Sequence, residues 1–281
     1  MPELPEVETV RKGLEKLVVG KEIAAVEVLW GRIIEQPEKE LFELSLVGQT
    51  IEKMERRGKF LIFKLTDFDM VSHLRMEGKY EFHESKNDPV MKHTHVRFAF
   101  TDDTELRYLD VRKFGRMVLV EKDTSNDYKG ILSLGPEPVP EKFLLKPFQA
   151  GLKKHHKAIK PLLLDQKLVT GLGNIYVDEA LWEAKIHPEQ PANTLTKKET
   201  ELLYQAIIDV LARAVEAGGT TIRSYLNALG EAGKFQISLH AYGQTGEPCL
   251  RCGTPIQKIK VAQRGTHFCP NCQRVKARRS K

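Results

Sequence analysis

At 281 residues the chain has room for about two domains, each with its own core. Its formal charge of +6 is unevenly placed: residues 249–281 hold nine Lys or Arg and no acid, which leaves residues 1–248 at −3. A near-neutral body with a compact cationic end suits a polyanion such as nucleic acid. The longest apolar stretches, such as Phe60–Phe63 and Pro161–Leu164, are far too short to cross a bilayer. The first residues are acidic and proline-bearing, without the apolar run of a secretory leader. A soluble, cytoplasmic protein with no membrane partner is expected.

In chain order, Val7, Val10, Leu14, Leu17 and Val18 recur at helical spacing after Pro5, and Gly20 is a natural stop, which predicts one helix near the start. From Lys21 to about Glu121 the texture becomes short β-like runs: IAAVEVLW, KFLIFKL, VSHLRM, HVRFAF, ELRYLDV and RMVLVE. In the fourth of these, Val96, Phe98 and Phe100 alternate, and Thr101–Thr104 forms a turn before the next run. Strands in series without intervening helices predict an antiparallel β-sandwich or barrel with the first helix packed on it.

Leu134–Pro140 is dense in proline and reads as part of a linker over 132–146. Beyond it the pattern is helical. Thr196 and Glu199 have capping-box spacing, and Leu203, Ala206, Ile207, Val210, Leu211 and Ala214 make one apolar face that ends at Gly218–Gly219. The expected organisation is a β-sandwich domain over 1–131, the linker, a helical domain over 147–238, a metal finger over 239–273 and a frayed basic tail over 274–281. The fold class is α+β.

All four cysteines lie in the cationic end as C-x2-C-x16-C-x2-C: Cys249, Cys252, Cys269 and Cys272. Clustered pairs of this spacing predict a tetrahedral four-thiolate zinc site rather than a disulfide framework. Four protein ligands leave no open position to activate water, so the one Zn2+ is structural. It would fold a small hairpin that presents basic side chains such as Arg264. The finger alone is equally compatible with a non-catalytic zinc-ribbon DNA binder.

The other end is open to two readings. Pro2-Glu3-Leu4-Pro5-Glu6 can be read simply as acids favouring the positive end of a helix. Removal of Met1 would also expose a secondary amine with a pKa of order 8, capable of attacking a carbonyl-like carbon to give an iminium. GLGN at Gly171–Asn174 lacks a third glycine and a preceding strand, which argues against a dinucleotide site and predicts no nucleotide cofactor.

PELPEVETVRKGL, RRGKF, SHLRMEGKY, KHTH, DVRKFG, LGPEP, GLGNIYVDEALW, GGTTIRSY and the cysteine pairs around QRGTHFC follow in order along essentially the whole chain. Together they resemble bacterial formamidopyrimidine-DNA glycosylases. The related endonuclease VIII enzymes typically have Gly where this chain has Leu4, so PELPE favours the purine-lesion enzyme over the pyrimidine one.

The resemblance implies an N-terminal β-sandwich, a helix-two-turns-helix domain and a zinc finger. It also implies a bifunctional glycosylase/AP lyase acting on 8-oxoguanine and formamidopyrimidines in duplex DNA. Pro2 would be the nucleophile and Glu3 the general acid. Lys59 would assist β-elimination near the lesion phosphate, and Arg264 would assist δ-elimination. Met76, Arg112 and Phe114 would fill the space of the flipped nucleotide, Arg112 facing the orphaned base. His73, His93 and Asn174 would contact the DNA backbone, and Lys160 would take part in recognising the damaged purine. Thr220–Phe235, with Gly230 and Gly233, would be a loop enclosing the flipped base. Damaged double-stranded DNA is the implied partner, and a monomer is expected.

Overall fold

The structure, a computed structural model, describes residues 2–220 and 238–276. The chain divides into two compact units, Met1–Ser133 with Ala217–Lys234, and Leu134–Glu216 with Phe235–Lys281.

The first unit opens with α1 (Leu4–Val18) and continues through β1 (Ile23–Val28), β2 (Ile34–Gln36), α2 (Lys39–Leu46), β3 (Ile51–Arg57), β4 (Phe60–Leu65), β5 (Phe68–His73), β6 (Lys79–His83), β7 (Thr94–Phe100), β8 (Glu105–Leu109), β9 (Arg116–Glu121) and the short α3 (Lys129–Leu132). Strands β1-β7-β8-β6 form one sheet and β2-β9-β5-β4-β3 the other. The pairs are antiparallel except β2 with β9, which is parallel. A core between the sheets takes Tyr80, Val96, Phe98 and Leu106 from the first sheet, Leu61, Phe63, Met70 and Met117 from the second, and Val7, Val10 and Leu14 from α1. The outer face of the five-stranded sheet has its own cover, Ile131 of α3 with Tyr128 over Ile62, Val71 and Val118. That second cover explains why Asp69–Ser72 of β5 are buried without interruption.

The expectation of strands without intervening helices fails at α2. Phe42 and Leu46 are buried one turn apart on it, but Leu41 and Leu44 are exposed. Those two leucines fill in the gaps of the helical period and obscure it.

The second unit contains α4 (Leu145–Lys153), α5 (Ile159–Leu164), α6 (Asn174–Glu183), α7 (Lys197–Glu216) and the antiparallel hairpin β10 (Gln257–Val261) with β11 (Arg264–Phe268). Helix α7 begins on the expected capping box. The Glu199 N–H donates to Thr196 Oγ1 at 3.2 Å, and the Thr196 N–H donates to Glu199 Oε2 at 2.9 Å. All six apolar residues expected on its inner face are buried.

The proline-rich segment is not a free tether. The Gly135 N–H donates to the Gln166 carbonyl at 2.8 Å, and the Pro136 carbonyl accepts from Thr170 N–H at 3.0 Å. The start of the expected frayed tail is also held, since Lys276 N–H donates to Gln190 Oε1 and its ammonium pairs with Glu199.

Candidate functional site

In the first unit, Pro2 and Glu3 are buried at the mouth of α1. Glu3 is the N-cap, in extended backbone conformation, and forms a reciprocal box with Glu6: each carboxylate accepts the other residue's backbone N–H. The bond to Glu3 N–H is made by Glu6 Oε2 at 2.8 Å. The second Glu6 oxygen accepts Thr220 N–H at 2.8 Å and Thr220 Oγ1–H at 3.1 Å. Glu6 therefore ties the start of the chain to the last residue before 221–237. The expected enclosing loop, with Gly230 and Gly233, lies outside the described residues apart from Thr220. A carboxylate in the first turn is also where the helix dipole favours negative charge.

Lys59 is buried in the two-residue turn between β3 and β4, after Gly58 with φ 57°. Arg56 braces this turn, donating to Glu8 of α1 at 2.9 Å and to the Gly58 carbonyl at 2.9 Å. His73 ends β5 opposite Phe60 and stacks edge-on against it at 4.5 Å between centroids. Burial, with the nearby charges of Arg75 and Lys59, pushes His73 down to about 3. Its Nδ1 accepts Arg75 N–H at 2.9 Å, so the single proton sits on Nε2. A neutral imidazole with an Nε2–H donor beside a lysine suits a phosphate oxygen.

The three side chains expected to fill the space of a flipped nucleotide stand on two segments that cross from one sheet to the other. Met76 is half-buried on the 74–78 crossover, and Arg112 and Phe114 are exposed on the 110–115 crossover. The Arg112 guanidinium lies 4.9 Å from the Phe114 ring centroid. The second crossover is built around Asp110, which is 1% exposed. Its carboxylate accepts N–H groups of Arg112 at 3.0 Å, Phe114 at 2.8 Å and Gly115 at 2.8 Å. Its own N–H donates to the His93 carbonyl at 3.0 Å, and its carbonyl accepts His95 Nε2–H at 2.7 Å. Asp110 thus fixes both Phe114 and His93, a left-handed residue with φ 71°.

In the second unit, Asn174 is the first residue of α6 and Arg264 the first of β11. Ala262 and Gln263, at φ 45° and 64°, form the hairpin turn, and both positive values match the primed turn that a two-residue hairpin favours. Asn174 Nδ2 donates to the Gly265 carbonyl at 2.9 Å, and Lys160 Nζ reaches the same oxygen at 3.2 Å. Lys160 is fully buried. Its ammonium pairs with Asp178 Oδ1 at 2.7 Å, while Asp178 Oδ2 accepts His267 N–H at 2.9 Å. Helices α5 and α6 thereby hold the backbone just beyond Arg264, whose own side chain remains exposed.

The four cysteine sulfurs lie within 4.8 Å of one another, with Cys252 and Cys269 3.5 Å apart. A zinc tetrahedron with bonds of about 2.3 Å has sulfur–sulfur edges of about 3.8 Å, so these residues fit one zinc ion. Burial and the neighbouring thiols push Cys272 up to about 12, whereas hydrogen bonds from Thr254 draw Cys252 down to about 5. Four thiolates so close need a cation to be ionised together. The finger packs on α6, where the Arg251 guanidinium lies 3.7 Å from the Trp182 ring centroid and donates to the Trp182 carbonyl. Gln273 links Cys269 N–H to the Ile186 carbonyl.

Sequence reasoning missed the residues that hold these side chains in place: Glu6, Arg56, Asp110 and Asp178. The three-residue spacing of Glu3 and Glu6 is a visible capping-box signal. An Asp opening a short loop, as in DVRKFG, is a visible turn signal. Asp178 has none, because it reads as one more polar residue on a helix.

Comparison with known proteins agrees along the chain. Residues 1–117 match the formamidopyrimidine-DNA glycosylase N-terminal domain, 134–225 the formamidopyrimidine-DNA glycosylase H2TH domain, and 246–275 the zinc finger found in FPG and IleRS. A formamidopyrimidine-DNA glycosylase of Enterococcus faecalis is 75% identical over the full length of both chains. One from Latilactobacillus sakei is 60% identical over 97% of this chain and 98% of its own. Among solved structures, Lactococcus lactis Fpg (MutM) bound to N7-benzyl-Fapy-dG DNA superposes with TM-score 0.92 at 51% identity, covering 97% of this chain and 100% of that one. A MutM complex with carbocyclic 8-oxo-G DNA gives 0.92 at 50% identity, with the same coverage. Identity at this level over the whole length makes the chain a member of the formamidopyrimidine-DNA glycosylase family.

Proposed function

We propose that the chain is a bifunctional DNA glycosylase/AP lyase of base excision repair. It would remove oxidised purines, 8-oxoguanine and formamidopyrimidines, from duplex DNA and then cut the strand. With Met1 removed, the lone pair of the Pro2 amine forms a bond to C1′ as the glycosidic bond breaks. The base leaves with that bond's electrons and gains a proton. Glu3, held at the helix mouth by Glu6, protonates the ring oxygen as the sugar opens, which leaves a Schiff base. Loss of a C2′ proton then expels the 3′ phosphate with help from Lys59, and δ-elimination assisted by Arg264 expels the 5′ phosphate.

Met76, Arg112 and Phe114 fill the vacated space, and His73, His93 and Asn174 hold the backbone. Lys160 serves lesion recognition from the α5–α6 side. The zinc holds the hairpin that carries Arg264 and takes no part in bond making. We place the protein in the cytoplasm, acting as a monomer on damaged double-stranded DNA without a nucleotide cofactor.

The observation that carries this reading is the fixed N-terminus: a buried Pro2 next to a Glu3 whose backbone and side chain are both engaged by Glu6. Borohydride trapping tests it. Mature protein incubated with an 8-oxoguanine duplex and reductant is expected to give a covalent adduct. Protein retaining Met1, whose proline nitrogen is an amide, is expected to bind the duplex and trap nothing. An adduct from the Met1-bearing form would remove Pro2 as the nucleophile. A strong preference for an oxidised pyrimidine would overturn the substrate class.

A further inference from the structure

The 74–78 crossover leaves β5 of the five-stranded sheet and enters β6 of the four-stranded one, and the 110–115 crossover returns from β8 to β9. They are neighbours at both ends, since His73 pairs with Arg116 and Lys79 with Leu109. Each ends on a glycine. A Cβ on Gly78 would meet the Tyr108 hydroxyl and lie 2.8 Å from its Cζ, and a Cβ on Gly115 would meet the same hydroxyl and lie 2.7 Å from the same carbon. Neither glycine has positive φ, so space rather than backbone freedom requires glycine there. Tyr108 is 1% exposed, and its ring packs edge-on against Tyr80 at 5.1 Å. Tyr80 in turn donates to Ser72 Oγ at 2.8 Å. One rigid phenol therefore sits between the closing residues of both crossovers.

We propose that Tyr108 is a positioning residue that keys the Met76 crossover to the Arg112–Phe114 crossover, so that the side chains filling the space of an everted nucleotide enter the duplex together. The inference rests on the proposed function. Close packing has discrete arrangements, so a displacement of one glycine is passed to the other through the shared phenol. If the loops were independent, Met76 could insert while Phe114 did not, and the unstacking cost would be met only in part.

The test is a double-mutant cycle between the crossovers, with two readouts: excision of 8-oxoguanine from a duplex, and the fluorescence of a 2-aminopurine beside the lesion, which rises on unstacking. Gly115→Ala is expected to lower excision on the order of 10- to 100-fold, the scale of an ångström-sized misplacement, and to suppress the fluorescence rise. Cleavage at a preformed abasic site, which has no base to evict, is expected to fall much less. Adding Met76→Ala to Gly115→Ala is expected to change little, because Met76 is already misplaced. Effects that multiply would show independent loops and overturn the proposal.

Tyr108→Phe keeps the ring packing and removes only the hydroxyl, so it repeats the cycle should Gly115→Ala fail to fold. A folded Tyr108→Phe protein that loses both substrates equally would show a merely structural tyrosine. Wild-type protein that traps no adduct would instead overturn the functional reading itself, before any variant is compared.

Discussion

The half-buried His73 and the fully buried Lys160 differ in their partners. Among the described residues His73 has no carboxylate partner, and its pKa is held well below the ordinary histidine range, so the DNA contact proposed for it should not titrate between pH 5 and 8. Its stability contribution does. The pKa falls from about 6.5 in the unfolded chain to about 3 in the folded one. The unfolded chain therefore binds the extra proton between those values, and stability falls as pH drops through that window, by at most about 1.4 kcal/mol per pH unit. Denaturant titrations of His73→Gln across pH 3 to 7 should show a flatter acid limb than wild type. Lys160, by contrast, pairs with Asp178 at 2.7 Å. Lys160→Met strands that carboxylate and is expected to cost about 3–5 kcal/mol. Adding Asp178→Leu should recover part of the loss, leaving about 1–3 kcal/mol for the unpartnered His267 N–H. A double variant no more stable than Lys160→Met would show that the pair is not the source of the cost.

Among the elements, the β10–β11 hairpin depends most on something outside its own packing. Its small cluster is Trp182, Ala241 and Ile256 around the cysteines, too little apolar surface to hold a finger alone. Removing zinc with a chelator is expected to unfold the hairpin and displace Arg264 while leaving the β-sandwich folded. Hydrogen exchange should show protection lost over 249–273 and kept in β4, β5 and β9.

Elements with a clean period were legible in the sequence. Helix α7 buries every residue its spacing marks and α1 all but the partly buried Leu17, and the cysteine spacing specifies its tetrahedron. Helix α2 was hidden by exposed leucines, and β3 by a register shift between Ile51 and Lys53 that breaks the alternation. The site was legible mainly as motifs. Lys59, Met76, Arg112 and Phe114 could be named only through the resemblance, because one lysine or one phenylalanine has no periodicity. The residues that position them leave at most a turn signal, as Asp110 does in DVRKFG. Asp110 and Tyr108 act through backbone N–H groups and through space left by distant glycines, and neither leaves a regular spacing.

Across the whole molecule, the charge asymmetry sets how binding responds to salt. Each phosphate neutralised by a Lys or Arg steepens the fall of affinity with salt, so Arg264→Ala should reduce the slope of log K against log salt by about 1. Equal slopes for variant and wild type would mean that Arg264 touches no phosphate in the bound state. The two tryptophans divide the molecule in another respect. Trp30 lies in the first unit, 3.9 Å from the Lys113 ammonium of the 110–115 crossover. Trp182 lies in the second, stacked on His240 at 4.5 Å and against the cysteine cluster. Each indole is thus a built-in optical probe of a different event. Trp182→Phe protein should retain the emission change caused by DNA and lose the one caused by chelation, and Trp30→Phe protein should do the reverse. The intrinsic fluorescence of the two single-tryptophan variants is therefore expected to follow strand engagement and metal loss separately, without an added label.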